Sequence, residues 1–237
     1  LVPNNSNPYF AELVHAVEDA CFEAGYALLL CNTDDNVDRQ KVYLDVLAQK
    51  RVDGLIVAST SDDAVMSQHL AQTTMPMVLI DRAIAGLERP CVQTDHVQGG
   101  MMATAYLLGL GHQRVACIGG PEHLHSSAQR VQGWRQALQQ VGRRSELLVH
   151  ADFTVNGGYL AMQTLLRAPV AARPTAVLAC NDLMAMGALR AVHECGLQVP
   201  QDVAVVGYDD IELAGYTQPP LSTVAQPVKA MARQALA

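Results

Sequence analysis

Two kinds of segment alternate along this chain. Short runs rich in β-branched and other apolar residues recur: ALLLC (27–31), GLIVAS (54–59), MVLID (77–81), RVACIG (114–119), TAVLAC (175–180) and VAVVG (203–207). Between them lie amphipathic stretches of helical period. From Tyr9 to Ala24, residues Phe10, Leu13, Val14, Val17 and Cys21 recur at three- and four-residue steps, and Gly25 supplies the stop. From Asp182 to Cys195 the pattern returns with Met186, Leu189 and Val192 before Gly196. Residues 227–237 read as a final helix with no strand after it, so both ends look clipped, as in a fragment.

Strands apolar on both faces and alternating with helices predict an α/β fold, with parallel sheets covered by helices and joined by right-handed crossovers. Ligands of such sheets gather beyond the C-terminal ends of the strands. That rule selects Asp81 after MVLID, the loop from Gly119 to Arg130, Asn181 and Asp182 after VLAC, and Asp209 after VVGY. No repeat or low-complexity linker divides the chain, and CVQTD (91–95) marks a plausible boundary near Asp95–Val97.

Composition narrows the class. With 237 residues, 50% apolar and 16% charged, the chain can bury a sizeable core and is not disordered. No apolar run is long enough to span a bilayer, and the polar, Pro/Asn-rich residues 1–10 do not read as a secretory signal. The six cysteines are scattered without a C-x-x-C pair, as expected of thiols in a reducing, cytoplasmic compartment. A net charge of −7 with dispersed Lys and Arg argues that this chain by itself does not grip nucleic acid.

Enzyme motifs are missing: there is no G-x-G-x-x-G after a first strand, no phosphate-loop lysine after Gly119-Gly120-Pro121, and no G-x-S-x-G elbow. His123-x-His125 has metal-like spacing but few carboxylates nearby, and neither a metal nor a cofactor is expected. In Asp209-Asp210, Asp210 is expected to open a short helix as its N-cap, which leaves Asp209 facing the strand end. By the same logic Asp182 is expected to cap the helix after VLAC, making Asn181 the ligand candidate.

These strand-end residues suit a sugar, whose hydroxyl rim needs planar donors and acceptors and whose C–H faces need aromatic rings. Asp81-Arg82 is either a surface pair or a fixed fork in a crevice. Arg130, alone, reads equally as a solvated arginine. Of Tyr9 and Phe10, one is expected in the core and the other on a crevice wall; Phe153 sits in a loop, where a large ring is costly to expose.

Four segments in order, VDGLIV (52–57), LGLGHQRVACIGG (108–120), NDLMAMGALRA (181–191) and VPQDVAVVGYDDIELAGYTQPPLSTVAQP (199–227), resemble the effector domain of lactose-repressor-type transcription regulators. Within that family the resemblance is greatest to ribose-type repressors, through NPYFAELVHAVEDACFEAGYALLLCNT, LAQKRVDGL, GGYLAMQTLL and VGYDDIELA. The resemblance implies a type I periplasmic-binding-protein architecture of two α/β lobes, 1–95 plus 227–237 and 97–225, with a sugar crevice between them that closes on ligand. It implies that Asn7, Tyr9, Phe10, Asp81, Arg82, Arg130, Phe153, Asn181, Asp209 and Gln226 hold the ligand. It also implies a cytoplasmic homodimer that releases operator DNA on binding sugar, DNA being bound through a headpiece this chain lacks. The same fold serves transporters as periplasmic sugar-binding proteins, which is the alternative. Two departures bear on the ligand. Leu124 stands where purine repressors carry an arginine, which speaks against purines, and Glu122-His123-Leu124-His125 does not follow the ribose pattern well, leaving other pentoses and hexoses open.

Overall fold

The computed structural model describes residues 1–58, 64–84, 86–144 and 146–237, so Ser59, the last residue of the GLIVAS run, lies outside the described residues. The chain forms two compact units, Leu1–Thr94 with Pro227–Ala237, and Asp95–Gln226.

The first unit opens with α1 (Pro8–Glu23). Its amphipathic face buries Leu13, Val17 and Cys21, and the chain leaves it through Gly25 at φ 81°. Then come α2 (Val37–Lys50), β1 (Leu55–Val57), α3 (Ala64–Gln72), β2 (Met77–Ile80) and β3 (Cys91–Val92). The strands form a parallel sheet in the order β1-β2-β3. Leu44, Leu47, Leu55, Leu70 and Leu79 pack into its core.

The ALLLC run is not a strand. Among the described residues it is joined to the rest of the unit at its far end, through a parallel bridge from Val2 to Asn32, and Leu29 and Leu30 are 56% and 45% exposed.

The second unit holds α4 (His96–Gly109), β4 (Val115–Gly119), α5 (His125–Gln140), β5 (Leu148–His150), α6 (Val155–Leu166), β6 (Ala176–Ala179), α7 (Asp182–Glu194), β7 (Ala204–Asp209) and β8 (Ser222–Ala225). They build a parallel sheet in the order β5-β4-β6-β7-β8. β4 and β6 are buried along their whole length, as strands between two helical layers must be. Trp134 is fully buried beside them, and its indole N–H donates to the Val115 carbonyl (3.2 Å). The chain then returns to the first unit with α8 (Val228–Leu236), which packs on α1.

Because the strands among the described residues are parallel within their sheets, the loops after them in each unit fall on one edge of its sheet. That edge carries the candidate site residues.

Candidate functional site

In the first unit, Asp81 follows β2 directly at φ 76°, and both it and Arg82 are buried. Ionised carboxylates are tolerated in such places only when their lone pairs are filled. Tyr9 donates its hydroxyl to Asp81 Oδ1 at 2.6 Å, and Arg82 Nε lies 3.4 Å from Asp81 Oδ2. The pair is buried and so is not a surface pair. Asn7 caps α1, accepting from the Tyr9 backbone N–H (3.1 Å), and so fixes the first turn that carries Tyr9. Tyr9 and Phe10 are both buried and meet edge to face with centroids 5.2 Å apart. Tyr9, through its hydroxyl, belongs to the polar cluster.

In the second unit the strand ends converge on Arg130, which projects from the second turn of α5 and is 4% exposed. Its Nη1 donates to the Cys180 carbonyl (2.5 Å) and lies 3.4 Å from Asp209 Oδ1. Its guanidinium lies over the Tyr208 ring, 3.9 Å from the centroid, and its Nε donates to His96 Nδ1 (3.4 Å). Gln226, just past β8, donates Nε2 to the same Asp209 oxygen (2.8 Å). Arg130, Asp209 and Gln226 are thus joined directly, a fork presented by three separate elements.

Asn181 and Phe153 complete the set. Asn181 donates Nδ2 to the Phe153 carbonyl (3.0 Å), fixing a loop residue that adopts φ 63°. The Phe153 ring stands over Gly120, where an added Cβ would meet it at 2.2 Å, so only glycine lets the ring settle there.

Two sequence expectations are corrected. Asn181, not Asp182, caps α7: its Oδ1 accepts from Met184 N (2.9 Å). Asp182 instead turns inward, fully buried, and accepts from Ile211 N (2.9 Å) and the Thr223 hydroxyl (2.6 Å). Adjacent Asn and Asp are both good caps, and sequence could not say which side chain the sheet would claim. Nor does Asp210 cap a helix. It sits at φ 64°, and the 3-10 turn Glu212–Tyr216 starts after Ile211 with no side-chain cap.

Sequence reasoning missed Tyr208 and His96, and took Asp182 for a cap. Tyr208 was within reach, since it precedes Asp209 at the end of an apolar strand. His96 follows the cap residue Asp95 and gave no signal of its own. Burial pushes the Asp182 carboxyl up to about 6, against the lowering effect of its hydrogen bonds from Thr223, Ile211 and Asp210, while the charge of Asp210 adds to the rise. Among the described residues no group of three or more His, Cys, Asp or Glu is placed to hold a metal ion. Each unit therefore presents a carboxylate–guanidinium pair beside an aromatic ring at the C-terminal edge of its sheet.

Residues 1–235 match the family described as periplasmic binding proteins and sugar binding domain of LacI family. The chain is 42% identical over 230 residues to the ribose operon repressor of Escherichia coli (strain K12), covering 96% of this chain and 69% of the repressor. It is 40% identical over 241 residues to the transcriptional repressor PurR of Yersinia pestis (strain Pestoides F), covering all of this chain and 70% of PurR. Among solved structures, a LacI family transcriptional regulator from Enterococcus faecium with bound ribose superposes with a TM-score of 0.86 at 29% identity, over 99% of this chain and 85% of that one.

Proposed function

The chain belongs to the family of periplasmic binding proteins and LacI-type sugar-binding domains, as the effector-binding domain of a transcriptional repressor, and we propose that its effector is ribose or a closely related sugar. The observation that carries this reading is the buried Arg130–Asp209–Gln226 cluster, presented by α5 and the ends of β7 and β8 beside Tyr208, with Arg130 also bonded to the carbonyl of Cys180, the residue before Asn181. Such a set offers fixed donors and acceptors for vicinal hydroxyls and rings for C–H faces. Asp81, Arg82 and Tyr9 supply the matching set from the first unit, with Asn7 fixing the start of α1 and Phe10 packing on Tyr9.

We further propose that the sugar binds one conformation of the chain better than another and so shifts the population toward it. In the intact regulator, a homodimer in the cytoplasm, that shift lowers operator affinity, so sugar acts as an inducer. DNA binding falls to a segment outside residues 1–237, because the net charge of −7 on these residues disfavours phosphate.

Leu124 favours a sugar over a purine. It is buried at the start of α5 and offers no hydrogen-bond donor to a base. The repressor relatives favour regulation over transport and over catalysis.

Isothermal titration with D-ribose, other pentoses, hexoses, phosphorylated sugars and hypoxanthine tests the proposal. Roughly micromolar-to-millimolar ribose binding, lost in Asp81→Ala and Arg130→Ala, is the expected result. Binding of hypoxanthine and no sugar would overturn it.

A further inference from the structure

We infer that Asp182 is a positioning residue: its buried carboxylate holds the Asp209–Ile211 turn in a conformation it would not otherwise keep, and thereby keeps the Asp209 carboxylate on Arg130 and Gln226. The ligand-binding consequence rests on the function proposed above; the hold on the turn does not.

Three observations meet here. First, Asp209 and Asp210 are consecutive non-glycine residues at positive φ, 113° and 64°. Side chains rarely adopt such a backbone, and two in a row persist only where surrounding structure over-determines them. Second, Asp182 restrains the residues that follow Asp209. Its Oδ2 accepts from Ile211 N (2.9 Å) and its carboxylate also accepts from the Asp210 backbone, so the two amides after Asp209 point at one carboxylate. Its other oxygen accepts from Thr223 Oγ1 (2.6 Å) on β8, the strand that leads to Gln226. One side chain at the start of α7 thus ties together the two segments that carry Asp209 and Gln226.

Third, the sheet makes room for it. Gly207 lies on β7 two residues before Asp209, and an added Cβ there would meet Asp182 Oδ1 at 2.1 Å. A bare backbone at that point is what lets a carboxylate reach under the turn. A capping role would need none of this, and Asn181 already caps the helix.

The alternative is that Asp182 merely stabilises the fold. Two measurements separate these roles, both on the chain of residues 1–237. The first is amide exchange in the ligand-free protein. In Asp182→Ala the amides of Asp210 and Ile211 should exchange on the order of tenfold faster, while core amides of β4 and β6 are unchanged. In Asp182→Asn, whose amide oxygen can still accept, they should stay near the parent rate. Thr223→Val removes the hydroxyl donor alone and gives a smaller acceleration at Ile211, which keeps the test should Asp182→Ala fail to fold. Unchanged exchange at Ile211 in Asp182→Ala and in Thr223→Val would overturn the inference, as would acceleration spread evenly over the unit.

The second is a D-ribose titration of Asp182→Ala, Asp209→Ala and the double variant. If Asp182 acts through Asp209, the first weakens binding on the order of tenfold, and the double variant binds no more weakly than Asp209→Ala alone. Multiplying losses would mean that Asp182 acts elsewhere, and would overturn the inference. Failure of the parent chain to bind any sugar would overturn the functional reading instead, and the exchange result would then decide the role of Asp182 by itself.

Discussion

Replacing Asp209 by alanine tests the electrostatics of the second unit without any ligand. Arg130 is 4% exposed, and a guanidinium cannot shed its proton at accessible pH. Its described partners are the Asp209 carboxylate at 3.4 Å, the Cys180 carbonyl at 2.5 Å, the Tyr208 ring at 3.9 Å and His96 Nδ1 at 3.4 Å. Of these, Asp209 alone carries the opposite charge, and its loss also takes the acceptor from Gln226 Nε2. Breaking a buried ion pair by removing one member costs about 3–5 kcal/mol. The carbonyl and the ring remain, and a desolvated cation–π contact is worth about 1–2 kcal/mol, so the lower end, about 3 kcal/mol, is expected. For a unit of this size that is a fall in Tm of about 10 °C. Asp209→Asn keeps an acceptor for Gln226 and should lose about half as much. Urea unfolding followed by fluorescence reads the effect directly, because Trp134 is the chain's one tryptophan and is buried in the same unit. A stability of Asp209→Ala within about 0.5 kcal/mol of the parent would refute the view that Arg130 depends on this carboxylate.

Other consequences follow from the same contacts. Tyr9→Phe removes the donor to the buried Asp81 carboxylate and should cost the first unit about 1.5–3 kcal/mol, measurable by urea unfolding. Gly120→Ala forces the Phe153 ring from its seat, and should weaken sugar binding on the order of tenfold by titration calorimetry. For Asp182 the carboxyl lies at about 6 against an ordinary value of 3.8, so the folded state holds the proton more tightly than the unfolded state. Its contribution is full below about pH 4 and is lost as pH rises to about 6, by up to about 3 kcal/mol. The stability of the parent relative to Asp182→Asn should therefore decline between pH 4 and 6 and level off above; a flat difference across that window would contradict the burial argument.

The long amphipathic helices were legible in the sequence because their period and their stops agree. α1 and α7 end where Gly25 and Gly196 take positive φ. Strands β4, β6 and β7 were legible as apolar runs, since burial on both faces leaves no polar positions to confuse the pattern. Strands β3, β5 and β8 were not. They are two to four residues long, lie at or near sheet edges and include exposed or half-buried positions, so they carry little hydrophobic signal. ALLLC shows the converse: its composition suits a strand, but among the described residues it makes only the bridge from Val2 to Asn32 at its far end.

In the site, strand-end placement found Asp81, Asn181 and Asp209 by a topological rule that needs no side-chain geometry. What it could not reach was the inward turn of Asp182, the ring of Tyr208 beneath Arg130 and the His96 contact. These depend on which helix face meets which strand end, and that is decided by packing between residues dozens of positions apart.

The most direct test of the central claim is a crystal structure of this chain grown with D-ribose. The account predicts a sugar whose hydroxyls are bonded by Arg130 and Asp209. A sugar held with Arg130 and Asp209 untouched would contradict it.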